Sequence, residues 1–275
     1  TDIHRFVYTV SVGENTTALD YPASTDIDLN GAIITDLSGN NLLDVSLPAP
    51  SNLASENIII DTVAPTATLS LGGETADGYL NFNEDADGFS VTGQSNEAGT
   101  IYLAPASGGY TDETTLASND IGTPPAVSAS TPTAIPVGTG AGTLDETYAV
   151  YAADSAGNVS VVSASSFVYD VTAATATLSL GGESADGYIN FNEDADGYTV
   201  TGQSSEAGTI YLAPASGGYT DETVLALNDI GTPQGVSASI PTLLPVGSGV
   251  STLDETYVIY AVDPARNVSV VSASS

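Results

Sequence analysis

The chain has 275 residues, 41% of them hydrophobic, which suffices for two or three domains with apolar cores. Cysteine is absent, so disulfide bonds and thiolate metal sites are excluded. Lys and Arg total 2 against 34 Asp and Glu, and the formal net charge of −32 argues against nucleic acid or an anionic membrane as a partner.

The beginning of the chain, residues 1–57, does not match the rest over most of its length. This segment is too short for an ordinary independent domain, and we expect it to be the C-terminal part of a preceding immunoglobulin-like domain. Its start lacks the layout of a signal peptide. No run of about 18 apolar residues occurs in the sequence, so we expect no direct membrane insertion.

The remainder of the chain is an internal repeat. The sequence TATLSLGGETADGYLNFNEDADG from Thr66 returns as TATLSLGGESADGYINFNEDADG from Thr175, and the same offset continues without a gap to the end of the chain. Residues 58–166 and 167–275 are therefore predicted to be two copies of one domain, since this period is too long for a solenoid repeat. Every acidic position of the first copy recurs in the second.

Each copy has the composition of an all-β domain. Runs rich in Val, Ile, Thr and Tyr are separated by Gly, Pro, Asn and Asp: TATLSL, FSVTGQ, TIYLA, TYAVYAAD and VSVVSASSFVYD. The segment SASTPTAIPVGTGAGT suits an edge strand or a loop, and NEDADG one short helical turn. About seven strands per copy predict tandem immunoglobulin-like β-sandwiches in a linear array.

Three acidic turns are expected to meet at one pole of this sandwich. They are the start of the first strand, the turn between FSVTGQ and TIYLA, and the turn after TYAVYAAD. The residues so placed are Asp61, Glu97, Asp154 and Asn158 in the first copy and Asp170, Glu206, Asp263 and Asn267 in the second. Two like charges 4 Å apart repel by about 4 kcal/mol at an effective dielectric constant near 20, so a cation is expected among them.

The acidic loop NFNEDADG lies at the opposite pole, where it is expected to face the next copy. Its candidate metal ligands are Asp85 and Asp87 in the first copy and Asp194 and Asp196 in the second. Asn83, Asp85 and Asp87 match the first half of an EF-hand calcium loop, but Gln94 replaces the bidentate glutamate. Two interpretations stay open here: a simpler Asp-rich calcium turn, or a solvated acidic loop.

Calcium is the cation that these residues suit best. It takes six to eight oxygen ligands from carboxylates, amides and carbonyl groups in flexible geometry. Magnesium requires a stricter octahedron and ranks second, while zinc prefers nitrogen and sulfur ligands that the chain scarcely offers. The expected cofactor is therefore Ca²⁺.

Several motifs, in this order, resemble one family. IDTVAPT, DGYLNFNE, VTGQSNEAGTIYL and YAADSAGNVS are similar to segments of the bacterial immunoglobulin-like domains of giant calcium-dependent surface adhesins, many of the RTX type. The resemblance covers essentially the whole chain. It implies a non-catalytic extender of a large secreted or cell-surface adhesin or fibre, with roles in cell adhesion and biofilms. Its partners would be the neighbouring domains, stiffened by calcium at their joints, and the distal ligand stays unknown.

The second copy departs from this pattern at one turn. DSAGN becomes DPARN, so that Arg266 stands where the first copy has Gly157. If the position needs a positive φ, a residue other than glycine is strained there by about 1 kcal/mol or more. Either the turn is reshaped, or Arg266 reaches the acidic loop of the domain before it.

A binding module and an enzyme are the two other classes of function to compare with an extender. A carbohydrate- or receptor-binding module is the alternative to an extender, with a candidate sugar platform of Tyr79, Tyr102, Tyr110 and Tyr148. An enzyme is not expected, because the only histidine is His4 and adjacent acidic pairs on a strand point to opposite faces. Those pairs are Asp112–Glu113 and Asp145–Glu146.

Overall fold

The computed structural model describes residues 7–20, 33, 35, 38–41, 53–142, 145–195, 197–248, 255–270 and 273–274. In the segment before the repeats, a 3-10 turn is formed by Ala54–Glu56. Thr16 and Ile60 form an antiparallel bridge through N–O hydrogen bonds of 2.8 and 3.0 Å. The prediction that residues 1–57 belong to a preceding domain falls mostly on residues outside the described ones.

In the described part of the first copy, eight strands form two sheets. They are β1 (Ala67–Ser70), β2 (Tyr79–Leu80), β3 (Phe89–Ser95), β4 (Gly99–Pro105), β5 (Ala126–Val127), β6 (Thr133–Val137), β7 (Glu146–Asp154) and β8 (Ser166–Tyr169). One sheet has the order β1-β3-β6 and the other β2-β8-β7-β4-β5, and only the β2–β8 pair is parallel.

The two sheets of the first copy enclose one apolar core. Leu69 and Val91 come from the first sheet, and Leu103, Val150 and Phe167 come from the second. Their contacts hold the sheets face to face, which makes the unit a β-sandwich. Burial alternates along β3, as expected of a strand with one face toward the core. Strand β6 lies at a sheet edge, as the Pro-rich sequence predicts.

The second copy is a similar two-sheet sandwich in its described residues. Its strands are β9 (Ala176–Ser179), β10 (Tyr198–Ser204), β11 (Gly208–Pro214), β12 (Gln234–Val236), β13 (Thr242–Val246), β14 (Tyr257–Val262) and β15 (Ala273–Ser274). They form sheets of order β13-β10-β9-β15 and β12-β11-β14, and β15 pairs in parallel with β9, a pairing that the described part of the first copy lacks. Leu178, Val200, Ile210, Leu244 and Ile259 meet in the core between them. The prediction of an all-β fold is confirmed.

Short helices interrupt the strands. They are α1 (Glu113–Ser118), α2 (Phe191–Asp194) and α3 (Glu222–Leu227). Asp112 caps α1 by accepting a hydrogen bond from the Thr115 backbone N–H at 2.8 Å, and Leu116 is buried beneath the helix. The sequence does not predict α1 and α3, because helices this short do not establish a 3.6-residue period. Among the described residues, no helix has the length and apolar character needed to cross a membrane.

The segment predicted as one strand, VSVVSASSFVYD, forms a strand only over β8. Before β8, serine side chains take over part of the strand pairing along β7. The Ser160 and Ser163 hydroxyl oxygens accept hydrogen bonds from the backbone N–H groups of Ala152 and Val150, at 2.9 and 3.0 Å. Strand β8 runs across the division between the two sequence copies, because Phe167 and Tyr169 lie in the core of the first sandwich.

Candidate metal centre

Three carboxylates meet at the N-terminal pole of the first sandwich. Asp61 precedes β1, Glu97 lies in the turn between β3 and β4, and Asp154 ends β7. Carboxylate oxygens of the three residues lie within 4.8 Å of one another. The sequence predicted this convergence from strand order, and the structure brings these residues together.

Sheet register places the Glu97 turn next to Asp154. Gly99, the first residue of β4, lies directly opposite Asp154 of β7. A Cβ atom at Gly99 would collide with the Ala153 carbonyl oxygen, so the two backbones approach this closely only because the residue is glycine. The close approach keeps the turn and the end of β7 in fixed relation.

The turn after β7 fixes the Asp154 carboxylate. Its Oδ1 accepts hydrogen bonds from the backbone N–H groups of Ala156 and Asn158, at 2.8 and 3.0 Å. The Asn158 amide nitrogen donates to Asp154 Oδ2 at 2.8 Å and to the Asp61 carbonyl oxygen at 3.1 Å. The Asn158 amide nitrogen therefore ties the segment before β1 to this turn, and the role of Asn158 as a metal ligand stays a prediction.

The second copy builds the same site. Carboxylate oxygens of Asp170, Glu206 and Asp263 lie within 4.8 Å of one another, and Asp170 and Asp263 are buried. The Asn267 amide nitrogen donates to the Asp170 carbonyl oxygen at 2.8 Å and to Asp263 Oδ2 at 3.0 Å. Repetition of both the cluster and its support makes two equivalent candidate centres.

A fourth carboxylate approaches the second cluster from the preceding copy. Asp145, just before β7, has a left-handed backbone with φ of 57°, and its charge helps to raise the pKa of Asp170. The sequence indicates Asp145 only as half of an acidic pair. Its position follows from the order of the strands, because the turn before β7 lies at the same pole as the acidic β1–β3 loop.

Burial of the carboxylates in the second cluster, together with their mutual repulsion, raises their pKa values. Burial, followed by the charges of Asp263 and Asp145, raises the pKa of Asp170 to about 6. Burial and the same two charges raise the pKa of Glu206, and burial raises that of Asp263. Each shift reports that the charged form is disfavoured without an added positive charge.

The other predicted ligands lie elsewhere. Asp85 is buried, and its Oδ2 accepts from the Tyr169 hydroxyl at 2.9 Å and from the Gly140 N–H at 2.8 Å. Asp87 is exposed at the end of the 3-10 turn Asp85–Asp87, and Asp194 ends α2. Asp196 lies outside the described residues. Within the described chain, Asp85, Asp87 and Asp194 belong to neither carboxylate cluster, and their metal roles stay predictions.

Arg266 keeps the turn that Gly157 forms in the first copy. Its φ is 71° against 87° for Gly157, and each residue's N–H donates to the carbonyl oxygen of the aspartate three positions earlier. Its Nε lies 3.9 Å from Asp77 Oδ2 of the first copy and 3.9 Å from Glu222 Oε2 of its own copy. The turn therefore keeps the shape that it has in the first copy. The Arg266 side chain reaches Asp77, which lies in the β1–β3 loop of the first copy.

Several of the candidate residues for the alternative functions make contacts within the fold. The Asp112–Glu113 pair lies at the start of α1 rather than on a strand. Glu113 accepts a hydrogen bond from the Tyr102 hydroxyl at 2.7 Å. Tyr102 and Tyr148 are buried, and the Tyr110 ring packs edge-on against Tyr151. Tyr102 and Tyr148 therefore do not present an open aromatic face, whereas Tyr79 is half-buried, and a sugar-binding role stays a prediction.

The donor set of each cluster suits a hard divalent cation. Carboxylate oxygens are preferred ligands of calcium, and calcium binds them in flexible geometry. Arg266 is the only basic side chain among the described residues, so the polypeptide offers the clusters little compensating charge. The residues present therefore fit bound Ca²⁺.

No protein-family model matches the sequence, and no curated protein matches it. Two solved structures of bacterial ice-binding adhesins align with 88% of the chain at 18% identity. One is a Ca²⁺-stabilized adhesin that helps an Antarctic bacterium reach out and bind ice, with a TM-score of 0.34. The other is a 1.5-MDa bacterial ice-binding adhesin solved in connection with host cell surface retention, with a TM-score of 0.33. The chain spans 56% and 72% of these two chains, and TM-scores this low do not assign it to a family.

Proposed function

We propose that the protein is a non-catalytic extender of a bacterial surface adhesin or fibre, in which calcium stiffens the joints between tandem β-sandwiches. The observation that carries this proposal is the carboxylate triad at the start of each sandwich, with oxygens within 4.8 Å of one another in a chain of net charge −32. Such a triad needs a cation to offset its repulsion.

Asp145 gives the proposed calcium its mechanical effect. Asp170, Glu206 and Asp263 come from the second copy, whereas Asp145 comes from the first. A cation held by carboxylates of both copies restricts the angle between them, because bending would break ligand contacts. Without the cation, repulsion between Asp145 and the cluster favours separation.

Calcium concentrations outside cells match such sites. Calcium-binding modules of extracellular proteins have Kd values of about 0.1–1 mM. At calcium a hundredfold above Kd, each site stabilises the folded protein by about 2.7 kcal/mol. We therefore place the protein outside the cell or on its surface, with neighbouring sandwiches of its own chain as its partners.

The first test compares the full chain with calcium and with chelator at matched ionic strength. We expect calcium to raise Tm by about 10 °C or more, the shift expected when about 2.7 kcal/mol stabilises a domain of this size. Equal melting curves with calcium and with chelator would overturn the proposal.

A matched pair of variants locates the effect. Asp263→Asn removes a charge from the second cluster, whereas Asp87→Asn removes an equal charge from an exposed position outside it. We expect Asp263→Asn to weaken calcium binding, measured by titration calorimetry, at least tenfold at one of the sites. Asp87→Asn is expected to leave binding unchanged, and the reverse pattern would move the centre to the acidic loop.

A further inference from the structure

The two copies also touch through contacts that need no metal. The Phe82 backbone N–H donates to Asn267 Oδ1 at 2.8 Å, and the Asn83 side-chain amide donates to the Thr220 carbonyl oxygen at 2.6 Å. Both donors lie in the β1–β3 loop of the first copy, and both acceptors lie at the N-terminal pole of the second. Asn267 is 3% exposed, so its contact is sheltered from water.

Arg266 adds a charged contact to the same surface. It lies between an acid of each copy, with its Nε 3.9 Å from Asp77 Oδ2 and from Glu222 Oε2. Because Arg266 and Asp77 are largely exposed, salt screens this interaction, and its contribution is smaller than that of a buried pair.

We propose that residues 77–83 form a docking loop that recognises the N-terminal pole of another copy of the same repeat without any metal. This inference goes beyond the proposed function, because it assigns recognition of the neighbour to hydrogen bonds and one ion pair, separately from the carboxylate clusters. The partner must present an amide oxygen and a carbonyl oxygen at the spacing of Asn267 and Thr220.

The sequence repeats both halves of this contact. The loop returns in the second copy with Asp186, Phe191 and Asn192, and the acceptor positions occur in the first copy as Asn158 and Thr111. A copy of the repeat therefore carries the loop at one pole and its receptor at the other, which is a head-to-tail fit. Only the arginine differs, since the first copy has Gly157 at that position.

The test measures the distance between the two sandwiches in the full chain. The sequence contains no cysteine, so Ser90→Cys and Thr199→Cys place spin labels at equivalent exposed strand positions. Pulsed electron paramagnetic resonance then gives the distance distribution. The docking variant is Asn83→Ala with Arg266→Gly, and the control is Asn119→Ala, which removes an exposed amide of the first copy outside the joint contacts.

In chelator at low salt, we expect the unmodified joint and the Asn119→Ala control to give one narrow distance peak. The docking variant is expected to lose this peak and give a broad distribution. Two results would overturn the docking proposal. One is a broad distance distribution in the labelled chain that keeps Asn83 and Arg266, and the other is a narrow peak that survives in the docking variant. Adding calcium to the docking variant tests the proposed function separately, because calcium bridging alone would restore the narrow peak.

Discussion

At the residue scale, the asparagine of each turn organises the cluster beside it. Asn158 joins two chain segments 97 residues apart, and Asn267 does the same at the second cluster while also accepting from Phe82 of the other copy. Each therefore positions carboxylates through hydrogen bonds. Both asparagines belong to Asn-Val-Ser tripeptides, which match a glycosylation pattern, but Asn267 is buried and engaged in the fold.

Asp170 predicts a specific dependence on pH. Its pKa of about 6 lies above the usual aspartate value, so its stabilising contribution is fully present below about pH 4 and is lost as the pH rises through about 6. In metal-free buffer we expect Tm to fall between pH 5 and pH 7.5. Asp170→Asn is expected to flatten this change, and an unchanged slope in that variant would contradict the assignment.

At the element scale, β8 closes the first sandwich and leads directly into the second cluster. Phe167 and Tyr169 are each 1% exposed, and the next residue is Asp170. The Tyr169 hydroxyl donates to Asp85 Oδ2, which also accepts from Gly140, so the β1–β3 loop holds the end of this strand. Asp85 thus supports the joint from within the core.

Tyr169→Phe tests this link. The substitution removes one hydrogen bond from a buried carboxylate, and we expect a loss of about 1–3 kcal/mol in the free energy of unfolding. Urea denaturation of the metal-free chain measures it. Tyr188→Phe is the control, because Tyr188 is 76% exposed, and its effect is expected to stay within about 0.5 kcal/mol. Equal losses in both variants would refute the link.

The sequence predicted strands well where composition was distinctive, and it predicted which carboxylates meet where strand order decides their positions. Asp61, Glu97 and Asp154 meet because three separate turns share a pole, and this follows from the order of strands. Asp85 could not be assigned this way, because its burial depends on Tyr169, 84 residues further along the chain. Asp145 was missed for a similar reason, since its neighbour Asp170 belongs to the other copy.

At the scale of the whole molecule, a net charge of −32 acts against compactness. Bound calcium offsets the charge where carboxylates are closest, and dissolved salt screens the remainder over about 10 Å at 0.1 M. The two effects act on the same repulsion. Calcium and salt should therefore each stabilise the protein most when the other is absent.

A salt titration distinguishes these two sources of stability. In chelator, we expect Tm to rise as sodium chloride increases from about 20 to about 300 mM, because screening weakens carboxylate repulsion. With saturating calcium, the same titration should shift Tm much less. A salt response of equal size in both conditions would mean that the clusters contribute little to the repulsion.

The position of β8 has a consequence for how such a gene changes length. The division between the two sequence copies falls inside β8, so three of the four residues of the strand that closes the first sandwich belong to the second sequence copy. Unequal crossing-over between copies adds or removes whole periods. Each recombined sandwich would still take its closing strand from the copy that follows it. The number of sandwiches can therefore change without any internal sandwich losing that strand.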